Sequence, residues 1–165
     1  MIDGTLSFDP AGATVVIVDD EEMVLGSLAA FLELETPYSI RTFTSPAEAV
    51  QYAGSGRVDV VVSDYLMPGM NGIELLAEFG RLVPHAPRIL LTGYADKEGA
   101  IKAINEVGLF QFIEKPWDND HLLMVLRNAL EKRFLFQALQ EKIAEIDRAQ
   151  GRLTGLQEDI LRTFI

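Results

Sequence analysis

Val15-Val16-Ile17-Val18-Asp19-Asp20 sets four consecutive β-branched apolar residues directly before two carboxylates. The run is continuous rather than alternating, so neither face of the segment is suited to water, which fits a central strand of a parallel sheet. Asp19 and Asp20 then fall at its carboxyl end. Working forward, Met23, Leu25, Leu28, Phe31 and Leu32 carry a helical pattern. It stops near Thr36-Pro37, because the residue before a proline avoids the helical region. Ser39 to Phe43 reads as a second strand.

Ser45-Pro46-Ala47-Glu48 combines an N-cap serine, a proline at the first helical position and a glutamate three residues after the serine. This is a capping box for a second helix, which Gly54 and Gly56 end. Val58 to Ser63 is another buried strand with Asp64 at its end, and Asn71 starts the helix carrying Ile73, Leu75, Leu76 and Phe79. Ile89-Leu90-Leu91 forms a fourth strand ending at Thr92, and Ala100 to Val107 a fourth helix. Leu109 to Ile113 is a fifth strand ending near Lys115, and Asp118 caps a helix that begins with Leu122, Val125 and Leu126. This alternation predicts an α/β fold, a doubly wound five-stranded parallel sheet with helices on both faces. In the flavodoxin-like order 2-1-3-4-5, the first and third strands are neighbours at the switch point where such sheets bind ligands. Asp19 and Asp20 would then lie beside Asp64.

At 165 residues, 48% of them hydrophobic, the chain can fill one core and carry an appendage. It has no cysteine, which excludes disulfides, thiolate metal sites and a cysteine nucleophile and leaves the chemistry to carboxylates, hydroxyls and lysine. The net charge of −11 is uneven: residues 1–130 hold 19 acids against 8 bases, and residues 131–165 hold 6 of each. Such a surface repels phosphate backbones and attracts divalent cations, so no direct nucleic-acid partner is expected. No run approaches the length that crosses a bilayer, and the amino terminus lacks a charged segment followed by an apolar one. The expectation is a cytoplasmic protein with no membrane partner.

Three carboxylates at adjacent strand ends raise one another's pKa values and destabilise the fold unless a cation lies among them. Mg²⁺ suits the position, since it prefers hard oxygen ligands and is commonly held by a few carboxylates together with phosphate oxygens. An aspartate can also be a nucleophile that passes through an aspartyl phosphate. Phosphoryl transfer then needs a cation and a hydroxyl aimed at the phosphoryl oxygens, and Lys115 and Thr92 stand at the ends of neighbouring strands. Taken alone, Asp20 has a simpler reading as a cap of the helix that follows.

The chain resembles the receiver domain of bacterial response regulators. The resemblance rests on Asp19-Asp20, on Asp64-Tyr65-Leu66-Met67-Pro68-Gly69-Met70-Asn71-Gly72, on Thr92-Gly93 and on Lys115-Pro116, four motifs in order at strand ends. It covers roughly residues 13–130, leaving a tail at 1–12 and a helical extension at 131–165. It implies that Asp64 accepts the phosphoryl group, that Asp20, Asp64 and the Leu66 carbonyl bind Mg²⁺, and that Asp19 acts mainly through a water. It further implies that Lys115 pairs with the phosphoryl group and that the Thr92 hydroxyl moves to bond it. Phe112, three residues before the lysine, matches the family's switch aromatic, coupled to the surface of the fourth helix, fifth strand and fifth helix. The Lys115-Pro116 peptide is expected to be cis. The phosphodonor would be a sensor histidine kinase or a phosphotransfer protein. Gly108 to Trp117 is similar to receivers that precede HD-GYP or AAA+ output domains. Leu66 and Tyr94, two residues beyond Asp64 and Thr92, offer no strong base to an attacking water, so a fairly long-lived phosphoaspartate is expected.

Beyond residue 130, Leu139, Ile146, Leu153 and Ile160 recur at seven-residue steps, with Leu135, Ala149 and Leu156 at companion positions. The pattern is that of a two-stranded coiled coil and predicts a homodimer, although Lys142 falls on the seam and Gly151 and Gly155 weaken the helix. A helix folded back on its own domain, or a linker to an output domain, fits the same residues. The leading expectation is a phosphorylation-controlled binding module that turns over no separate substrate. The alternatives are a pseudo-receiver scaffold acting without phosphate and a haloacid-dehalogenase-type hydrolase. The hydrolase motif has a second aspartate two residues after the first, where this chain has Leu66.

Overall fold

Three of the strands have no polar face, and those three become the centre of the sheet. In the computed structural model, which describes residues 10–93 and 97–164, the strands are β1 (Thr14–Val18), β2 (Ser39–Phe43), β3 (Val60–Asp64), β4 (Arg88–Thr92) and β5 (Gln111–Glu114). They form one parallel sheet in the order β2-β1-β3-β4-β5, the order expected from the sequence. Every residue of β1 and β3 is buried, and so is all of β4 after Arg88. The edge strand β2 instead exposes Ser39, Arg41 and Thr42, polar residues that blunt an open ladder.

Helices α1 (Glu22–Glu35), α2 (Pro46–Ala53), α3 (Gly72–Leu82) and α4 (Lys97–Val107) connect consecutive strands, and α5 (Asn119–Phe164) follows β5. The local signals act as read. The Glu48 amide donates to Ser45 Oγ at 3.3 Å and the Glu74 amide to Asn71 Oδ1 at 2.9 Å, so both N-caps satisfy an otherwise orphaned donor. Helix α1 ends at Glu35, with the Thr36 amide still bonded to the Leu32 carbonyl. Burial of Val16, Val61, Leu75, Phe79 and Leu90 joins β1, β3, β4 and α3 in one core cluster.

Boundaries differ by a few residues from the periodicity. Strand β3 begins at Val60 and includes Asp64, and β5 begins at Gln111 rather than Leu109. Pairing with β4 sets the second limit, because Ile89 faces Gln111 and the residues before it turn through Gly108 at φ +73°, a region that glycine enters without strain. Arg88 ties this turn to α3, its guanidinium donating to the Leu76 carbonyl at 3.1 Å and the Gly108 carbonyl at 3.2 Å. Ahead of β1, Pro10–Gly12 form a 3₁₀ turn. The chain divides in sequence at Arg133: the described residues up to it form one unit and those from Phe134 onward belong to a second. Helix α5 runs through Gly151 and Gly155 without a break.

Candidate functional site

Parallel register decides what meets at the carboxyl edge. Val18 faces Ser63 across β1 and β3, so the residues just beyond, Asp19 and Asp20, come level with Asp64. One carboxylate oxygen from each of the three lies within 4.8 Å of the others. Asp19 and Asp64 are buried, whereas Asp20 is exposed. Asp64 faces Leu91 of β4, which places Thr92 one residue further along the same edge. The Lys115 amide donates to the Thr92 carbonyl at 2.7 Å and so holds the end of β5 against β4. From there the Lys115 side chain reaches across, its Nζ standing 2.8 Å from Asp64 Oδ1.

Burial pushes the Asp19 carboxyl above the usual aspartate range, and the neighbouring charges of Asp64 and Asp20 push in the same direction. The Glu21 amide, which donates to Asp19 Oδ1 at 2.9 Å, and the Lys115 ammonium oppose that shift. Neither aspartate caps α1: its N-cap is Glu21, without a side-chain hydrogen bond, and Asp19 instead accepts from the amide of that residue, ahead of the helix. Three hard oxygen donors, two of them buried beside like charges, suit a small divalent cation. Thr92 Oγ1 is buried with no hydrogen-bond partner among the described residues, a costly state for a hydroxyl unless a further acceptor joins it. The donor set and the orphaned hydroxyl together fit Mg²⁺ and a phosphoryl group at this edge.

The other expected residues spread outward from this cluster. Phe112 is half-buried on β5 opposite Leu90 and packs against the core cluster, outside the acid group. Leu66 exposes 63% of its surface in the loop after β3. Tyr94 lies outside the described residues. The peptide between Lys115 and Pro116 is cis, as expected. An open groove of about 500 Å³ beside Lys115 is lined by Glu21, Val24, Pro116 and Trp117.

Sequence reasoning assigned no role to three residues that shape the site. Ser63 Oγ donates to the Asp64 carbonyl at 2.9 Å, and the Gly72 amide donates to the Tyr65 carbonyl at 2.7 Å. A β-carbon on Gly72 would run into the Asp64 carbonyl oxygen and come within 2.8 Å of Leu90 Cδ1. Its signal in the sequence was a glycine at the first position of a capped helix, where better helix formers abound. Tyr65 is half-buried, and its hydroxyl would stand 3.4 Å from a β-carbon placed on Gly99 of α4.

Comparison with known proteins agrees with this geometry. Residues 15–127 match the family described as the response regulator receiver domain. The hydrogenase transcriptional regulatory protein HoxA of Cupriavidus necator is 37% identical over 135 residues, 82% of this chain and 27% of HoxA. The transcriptional regulatory protein FixJ of Rhizobium meliloti is 33% identical over 145 residues, 88% of this chain and 69% of FixJ. Among solved structures, the signal receiver domain of an HD domain-containing protein from Pseudomonas fluorescens Pf-5 superposes with a TM-score of 0.69 at 37% identity, covering 74% of this chain and 97% of that one. The chain thus spans about a quarter of HoxA's length.

Proposed function

The chain belongs to the response regulator receiver domain family, and from that premise we propose that it is a switch set by phosphorylation of Asp64. The observation that carries the reading is the junction of Asp19, Asp20 and Asp64 with the Lys115 ammonium on Asp64 Oδ1. A carboxylate oxygen of Asp64 forms a bond to phosphorus as the bond from phosphorus to the donor's imidazole nitrogen breaks, the electron pair remaining on that nitrogen. Lys115 then stands beside the charge that the phosphoryl oxygens bring, and Thr92 Oγ1 gains the acceptor it lacks. Asp20, Asp64 and the Leu66 carbonyl would hold Mg²⁺, with Asp19 acting through a water. When bound, the cation offsets the charge of the carboxylates and of the phosphoryl oxygens.

Arrival of about −1.5 to −2 charges at this edge draws Thr92 inward and opens space for the half-buried Phe112 ring, which biases the surface of α4, β5 and the start of α5. The donor is a sensor histidine kinase or phosphotransfer protein, approaching along the groove beside Lys115. The chain catalyses its own phosphoryl uptake and loss and turns over no separate substrate. Among the described residues no helix is long and apolar enough to cross a membrane, and we place the protein in the cytoplasm. The heptad face of α5 makes a homodimer the output form, without contact to nucleic acid.

Intact mass after incubation with Mg²⁺ and acetyl phosphate tests the acceptor. One phosphoryl group on the parent and none on Asp64→Asn is expected. No addition to a folded parent would favour the phosphate-independent scaffold.

A further inference from the structure

Leu135, Leu139, Ile146, Leu156 and Ile160 are each more than half exposed on α5 and share one heptad face. An apolar stripe of that length on a single helix has to be covered, and the charges beside it specify by what. We propose that a second copy of this chain covers it in antiparallel orientation, in the register that sets Glu145 of each copy against Arg152 of the other. The proposal rests on the dimer reading above and adds its direction and register.

In heptad terms Leu139, Ile146, Leu153 and Ile160 occupy a positions, Leu135, Lys142, Ala149 and Leu156 d positions, and Ala138, Glu145, Arg152 and Asp159 the g positions that flank the seam. Antiparallel pairing brings a against d and g against g. In the proposed register Leu139 meets Leu156, Ile146 meets Ala149 and Leu135 meets Ile160, so the seam runs across about 39 Å of helix, with Lys142 against Leu153 its one pairing that is not wholly apolar. The same register places Glu145 opposite Arg152 at two symmetry-related points. Lys142, the one charge on the seam, reaches its own Glu145 at 3.4 Å, on the flank where Arg152 of the second copy arrives. Its stem stays in the seam while its ammonium joins the ion pairs.

The competing arrangements are penalised by these same residues. Sliding the antiparallel pair by one heptad in one direction sets Glu145 against Glu145. Sliding it in the other sets Arg152 against Arg152 and Glu145 against Asp159. A parallel pair in register stacks Lys142 on Lys142 within the seam. Its flanks then match Glu145 with Gln150 and Arg152 with Gln157, with no pair of opposite charges. Opposed like charges raise the free energy of the wrong pairings, so charge here selects an arrangement that the apolar stripe alone leaves open.

The absence of cysteine gives a clean background for directed cross-linking of the full chain. Leu139→Cys and Leu156→Cys proteins would be oxidised separately and as a mixture, after sedimentation of the parent. The expected result is a dimeric parent, a disulfide-linked dimer from the mixture, and none above background from either variant alone. Cross-linking of Leu139→Cys with itself would overturn the antiparallel arrangement while leaving the dimer reading intact. A parent that sediments as a monomer would overturn both. Glu145→Arg is expected to weaken the dimer at least tenfold, and Glu145→Arg with Arg152→Glu to restore it. Equal dimerisation by all three proteins would remove the register.

Discussion

Lys115 Nζ lies 2.8 Å from Asp64 Oδ1, an ion pair between the end of β5 and the end of β3 across the intervening strand β4. The pair stands where Asp19 and Asp20 add two more carboxylates, so Lys115 is the near cation that lets them coexist. Lys115→Met removes that charge and keeps most of the stem. The variant is expected to lose about 1 kcal/mol of stability in Mg²⁺-free buffer, a modest figure because the lysine is partly exposed. Mg²⁺ should raise its melting temperature more than it raises the parent's. Identical responses to Mg²⁺ would remove Lys115 from the electrostatic balance of the site.

Asp19 holds its proton more tightly in the folded chain than in the unfolded one, chiefly because it is buried. Its contribution to stability therefore falls as pH rises from the ordinary aspartate value of 3.8 through the raised folded value, and is fully unfavourable above both. Asp19→Asn removes the charge and keeps an oxygen to accept from the Glu21 amide. Without Mg²⁺ at neutral pH, the variant should melt about 2–4 °C higher than the parent, for about 1 kcal/mol of relief. That advantage should shrink on acidification and on addition of Mg²⁺. A variant less stable than the parent at neutral pH would contradict the sign.

Thr92 Oγ1 is buried without a partner among the described residues, so the unphosphorylated fold gains little from the hydroxyl. Thr92→Val preserves the shape and should be neutral or about 1 kcal/mol more stable in denaturant titration. After phosphorylation the ordering reverses, since only threonine can donate to the phosphoryl oxygens. Exchange at the Phe112 ring by NMR would then change in the parent and stay put in the variant. Similar changes in both would dissociate Thr92 from the switch.

Gly72 leaves no room for a β-carbon against the Asp64 carbonyl oxygen. Gly72→Ala must shift the start of α3 or the backbone of the acceptor residue, and should cost about 3 kcal/mol. If the protein still folds, Mg²⁺ affinity should fall along with phosphoryl uptake, because the displaced backbone carries Asp64. An alanine variant with parent stability would show that the loop yields easily.

Local signals located most of the fold. The cap at Ser45, the cap at Asn71 and the break before Pro37 each act within a few residues, so they are written into the chain directly. Strand ends were less legible. Leu109 and Phe110 look like strand residues, yet β5 starts at Gln111, the first residue paired with β4, opposite Ile89, after the turn through Gly108. The acid cluster was legible from acids following apolar runs. Gly72 was not, because its importance lies in the Asp64 carbonyl that it packs beneath, eight residues earlier in the chain.

By itself the sequence determined the alternation of strands and helices and the apolar stripe of the extension. These follow from periodicity and capping, which depend only on near neighbours along the chain. Tertiary structure decided which of two adjacent aspartates is buried: Asp19 turns inward and Asp20 stays in solvent. It also decided that the Thr92 hydroxyl would be buried without a partner among the described residues and that Lys115 would fall on Asp64. Those outcomes depend on the register of parallel strands, which is fixed by how the whole buried surface fits together and not by the identity of any residue at the edge.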